Sequence, residues 1–190
     1  MPSQKYDLAY LKAVVAQLER YLHSKELYFP TGEKPPPGEP PFPRITPGGL
    51  LLTVARLNAW QLKPGIASEC SSSVDQMEDL IKNWRVAWEG KVVRDFSARL
   101  NLWRNFLEDH RKNPAANFDR YAYEVRSRVI LHLLSKEGAQ IPPEKLDIIP
   151  DLDRILKTVF VSGSFIWEQE LSQGFPQDTY WYLYGSITEV

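Results

Sequence analysis

Apolar residues recur at Met77, Ile81, Trp84, Trp88, Val92, Phe96, Leu100, Trp103 and Leu107, in steps of three and four. Only an α-helix, with about 3.6 residues per turn, gathers residues so spaced onto one face. A stripe this long and this bulky has to be covered by other parts of the chain, so the rest of the fold is built around it. Charges at both ends agree with a helix. Ser73-Val74-Asp75-Gln76 fits a capping box, Asp75, Glu78 and Asp79 place negative charge on the first turn, and His110-Arg111-Lys112 place positive charge on the last, before Asn113-Pro114. At about 1.5 Å per residue, the span 73–112 comes to about 60 Å. Gly90 costs roughly 1 kcal/mol against alanine inside a helix, and the run of fours from Trp88 to Leu100 breaks the alternation. A bend, a change of partner or a break is therefore expected near Gly90, with two shorter neighbouring helices as the alternative.

Shorter segments supply the cover. With Asp7 as N-cap, Leu8, Leu11, Val15, Leu18 and Leu22 predict an amphipathic helix ending near Leu27. Eight of the fifteen prolines then fall within residues 30–47, where each removes a donor and fixes φ, so this stretch is read as a stiff, proline-rich strap. Leu50, Leu51, Val54, Leu57 and Trp60 predict a short helix stopped by Lys63-Pro64-Gly65. Another is expected from Ala115 or Asn117 through Phe118, Ala122, Val125, Val129 and Leu133 to Gly138, and a last from Asp151 to Gly163. From 165 to 184 there are seven aromatics: Phe165, Trp167, Phe175, Tyr180, Trp181, Tyr182 and Tyr184. Exposed, they would be an aggregation hazard, so residues 165–190 are expected to pack on the helices or on a partner. The resulting expectation is a single all-α domain over 1–190, an irregular bundle of five or six helices with negligible strand.

Composition narrows the function classes. The 190 residues are 43% hydrophobic and 25% charged, enough apolar surface for a core, and 23 Lys and Arg against 24 Asp and Glu leave a net charge of -1. Eleven of the basic residues lie between Lys82 and Arg128 against six acids. They scatter around the helix while Trp84, Trp88 and Trp103 follow the apolar stripe, so solvated flanks and ion pairs to the acidic C-terminal segment are expected, and no specific nucleic-acid binding. A single cysteine, Cys70, points to a reducing compartment. With no apolar run at the N-terminus or long enough for a membrane span, a cytoplasmic protein is expected.

Motifs for chemistry are absent. The sequence has no His-Glu-x-x-His, Gly-x-Ser-x-Gly, Walker loop, Gly-x-Gly-x-x-Gly or Cys-x-x-Cys, so no catalytic residue, metal or cofactor is assigned. Glu19 and His23 form an ordinary i, i+4 pair, and His110 sits where a helix end favours a cation. His132, between Leu131 and Leu133, reads first as a core histidine bonded to a carbonyl. The long helix, the strap and the aromatic end favour a non-catalytic role in association with a protein partner or a second copy. The alternative is a small-molecule-binding domain, or an enzyme, whose aromatic-lined pocket is formed by Trp84, Trp88, Trp103 and His132.

Overall fold

Ser3 opens the first helix. Its hydroxyl accepts the N–H of Tyr6 at 3.2 Å and caps α1 (Gln4–His23). Asp7, expected as this cap, instead lies one turn inside, fully buried, with its carboxylate on Arg56 of α2 (Pro47–Ala59). A long-range ion pair has overridden a local capping preference. The structure, a computed structural model, describes residues 3–189. After α2 come α3 (Pro64–Asn83), α4 (Arg85–Lys112), α5 (Pro114–Asn117), a 3-10 turn at Phe118–Arg120, α6 (Tyr121–Glu124), α7 (Arg126–Ser135), α8 (Pro143–Leu146) and α9 (Ile148–Val159). Strands β1 (Phe160–Phe165) and β2 (Tyr184–Ile187) follow, with further 3-10 turns between them. The class is all-α with a long helix, as expected.

The apolar stripe is carried by two helices. The joint falls at Trp84, whose φ of -117° and ψ of 35° depart from helical values, whereas Gly90 lies exposed inside α4 with open space around it. Hydrogen bonds run across the joint, from Trp84 N–H to the Leu80 carbonyl and from Trp88 N–H to the Trp84 carbonyl. The glycine therefore costs propensity without breaking the helix. The first helix of the stripe also starts earlier than the Ser73 capping pattern predicts. Ser73 sits in the middle of α3 with its hydroxyl donating to the Glu69 carbonyl, and the helix begins at Pro64, a residue suited to N1 because the amide it lacks is unused there. Pro64, read above as a stop, is thus a start.

Trp88, Val92, Phe96, Leu100 and Trp103 of α4 are buried, and α4 packs chiefly on α7 and α2, with α1 beside them. The strap crosses outside. It is tied at its ends by paired hydrogen bonds between Phe29 and Ile45, and Phe42 packs on the rings of Tyr6 and Tyr10 at 5.1 and 5.5 Å.

The C-terminal segment corrects the expectation of negligible strand. Helix α9 stops at Val159 rather than running to Gly163, and β1 pairs antiparallel with β2, Phe160 opposite Ile187 and Ser162 opposite Gly185, with an irregularity between Ser162 and Phe165. Leu171, Phe175, Tyr182 and Leu183 are fully buried, the Tyr121 hydroxyl donates to the Tyr182 carbonyl at 2.7 Å, and the Trp167 indole donates to the Ala122 carbonyl at 3.0 Å. The aromatic end is part of the core. Where it meets α2, a Cβ on Gly174 would lie 2.4 Å from that of Ala59. Gly174→Ala is therefore expected to cost about 1–3 kcal/mol of stability in chemical denaturation, the usual penalty for overpacking. An unchanged midpoint would mean that this segment does not seat on α2.

Candidate functional site

A cleft of about 1190 Å³ opens between the helices, somewhat larger than typical small-molecule sites of roughly 300–1,000 Å³. Helical spacing positions its walls. Tyr6 and Tyr10 of α1 are one turn apart; Gly49, Thr53 and Arg56 line one face of α2; Arg99 and Leu102 come from α4; Tyr123, Arg126 and Ile130 from α6 and α7. Pro41 and Pro43 of the strap and Trp167 beyond β1 close the sides. Leu102 and Tyr123 are exposed at the rim.

Three guanidinium groups face this cleft, and their partners differ. Arg56 is buried and holds Asp7 through both Nε, at 3.0 Å, and Nη2. Arg99 donates from Nε to Asp95 at 3.2 Å and from Nη2 to the Thr46 hydroxyl at 3.4 Å. Arg126 is half-buried with no carboxylate at ion-pair distance among the described residues. Its guanidinium lies 3.5 Å from the centroid of the Tyr123 ring, and its Nε donates to the Tyr123 carbonyl at 3.0 Å. Burial lowers its basicity; the Tyr123 contacts partly restore it, and the positive fields of Arg56 and Arg99 lower it further. A partly desolvated cation without a carboxylate is costly, and the Tyr123 ring and carbonyl offset part of that cost.

Acids are present as well. Glu39, Glu124 and Glu168 line the same cleft; Glu124 takes Arg120 at 2.7 Å, and the fields of Glu168 and Glu39 reach Asp7. No group of three or more metal-ligating side chains occurs among the described residues, nor a helix long and apolar enough to cross a membrane.

The aromatic and histidine candidates from the sequence are not brought together, and none lines this cleft. Trp88 is fully buried with its indole donating to Glu137 at 2.8 Å, and Trp103 is buried and stacked on Phe106. Trp84 lies at the α3–α4 joint against His23, with ring centroids 4.1 Å apart. His132 is half-buried edge-on to Tyr180 at 5.1 Å; burial, then the fields of Arg128 and Lys136, push its pKa down, which keeps it neutral near pH 7. What the sequence reading missed is the arginine set. One signal was available: Arg56 is the only charged residue in a mostly apolar α2, an odd place for a solvated cation. Comparison with family models, with curated proteins and with solved structures finds no match to this chain.

Burial lifts the Asp7 carboxyl from 3.8 to about 6, with Arg56 opposing the shift. The native state thus retains this proton where the unfolded chain has lost it. The contribution of the group to stability is complete below the unfolded pKa of 3.8 and is lost as the pH rises through about 6. A carbon-detected NMR titration of Asp7 is expected to show a midpoint near 6. A midpoint below the ordinary aspartate value would mean that the Arg56 contact outweighs desolvation.

Proposed function

We propose that this protein is a non-catalytic binding protein whose ligand is an anion seated in the cleft at Arg126. The observation that carries this reading is the half-buried guanidinium of Arg126, stacked on Tyr123 and lacking a carboxylate partner where its neighbours Arg56 and Arg99 each have one. Two features that suggested association through the strap and the aromatic end are spent inside the fold, since Phe42 packs on α1 and Phe175 and Tyr182 are buried. The test is a thermal-shift screen of small carboxylates, phosphates and sulfates on the wild type and on Arg126→Gln. At ligand concentrations near a hundredfold over Kd the expected stabilisation of the wild type is on the order of 5 °C, absent in the variant. If no anion stabilises the wild type, or if the variant responds equally, the reading fails.

Association keeps one observation in its favour. A groove of about 320 Å³ between α4 and α9 is lined by Leu107, Leu152 and Ile155, the last 45% exposed. Arg104 and Arg111 flank it together with Glu108 and Asp151, so the patch carries both signs and complements a second copy of itself across a two-fold axis. Sedimentation is expected to show concentration-dependent dimers that Ile155→Asp removes. A wild-type protein that stays monomeric at high concentration excludes this second reading.

A further inference from the structure

We infer that the ligand of the cleft is an amphipathic monoanion, a free carboxylate on an apolar body, with the carboxylate on Arg126 and the body along Leu52, Leu102, Ile130 and Trp167. This deepens the anion-binding reading and rests on it.

Charge pairing sets the number of negative charges. Asp7 occupies Arg56 in a two-pronged contact, and Asp95 and Thr46 take the Nε and Nη2 of Arg99. Among the guanidiniums of the cleft, Arg126 alone is left uncompensated by a described carboxylate. One negative charge therefore compensates this guanidinium. A second would face Glu39, whose carboxylate lines the same cleft, and in a partly desolvated space like-charge repulsion weighs more than in water. The same argument disfavours phosphate dianions and nucleic-acid backbones.

Geometry sets the shape of the head group. The Arg126 guanidinium is held over the Tyr123 ring with its Nε committed to the Tyr123 carbonyl, which leaves the planar edge of its terminal nitrogens, the arrangement that carboxylates fill with two parallel hydrogen bonds.

The remaining wall sets the body. Leu52, Ile130 and Trp167 are nearly buried where they meet the cleft, and Leu102 stands 46% exposed at its rim. An apolar chain lying across Leu102 removes that leucine from water, a gain proportional to the area covered. A small hydrophilic anion such as acetate would leave this wall wet.

The experiment is calorimetric titration of the intact chain at about pH 8, where alkyl phosphates are dianions, with octanoate, acetate, octyl phosphate and octanol. Octanoate is expected to bind roughly tenfold or more tighter than each of the other three. Arg126→Gln is expected to weaken octanoate by roughly tenfold or more, and Leu102→Ser, at an exposed position that folding tolerates, to weaken octanoate several-fold while leaving acetate unchanged. Octyl phosphate binding as tightly as octanoate overturns the monoanion assignment, and acetate binding as tightly overturns the apolar body. In either case a loss on Arg126→Gln leaves the anion-binding reading standing. Failure of every anion to bind overturns both.

Discussion

The Asp95 carboxylate, buried in the middle of α4, ties that helix to the start of α2. It accepts the Gly48 N–H at the start of α2 at 2.7 Å and the Arg99 Nε at 3.2 Å. The first amides of a helix lack partners within it, and a buried one left unpaired costs about 1–3 kcal/mol. Thr46 takes the next, Gly49 N–H, at 3.0 Å, so α2 begins with a local cap and a distant one. A negative charge at this end also suits the helix dipole. The approach is close enough that a Cβ on Gly48 would lie 2.2 Å from Ile130 of α7 and 2.9 Å from Asp95 itself, so only glycine lets α2, α4 and α7 meet there. Arg99 and Ile130, both in the cleft wall, are placed by this junction.

Around that junction two buried ion pairs join further helices. Arg56 with Asp7 joins α2 to α1, and Arg128 with Asp153 joins α7 to α9 by two contacts of 2.7 Å. Removing one partner of such a pair leaves the other buried and uncompensated, which costs far more than the pair itself contributes. Against this background Arg126 stands apart. It lies two residues from Arg128, yet points to the cleft while Arg128 points to Asp153 and the Tyr182 ring. Two positions on a helix differ by about 200° in direction, which is enough to make one arginine structural and the other available to a ligand.

Pairs between the basic middle and the acidic C-terminal third were anticipated from charge distribution, and Arg128–Asp153 is one of them. So much aromatic surface has to be covered by the helices or by a partner, and Phe175 and Tyr182 are buried within the chain itself. The small sheet of this segment was not anticipated. Phe160–Phe165 continues the pattern of α9 in sequence, and only pairing with Tyr184–Ile187, some twenty residues on, makes it a strand. Strand formation depends on a partner, whereas a helix is satisfied within its own segment.

By itself the sequence determined the faces: the stripe that makes α4 the centre, the proline density that forbids helix in the strap, the apolar sides of α1, α2, α7 and α9. These follow from local periodicity and from the missing amide of proline, which act within a few residues. Tertiary structure alone decided the site. Arg56, Arg99 and Arg126 come from three helices and look in sequence like any solvated arginines. Arg99 has its carboxylate one turn away on its own helix, but that of Arg56 lies 49 positions off in α1, and Arg126 has none among the described residues. Electrostatic pairing acts through space and burial, so the one guanidinium left over becomes visible only when the helices are packed.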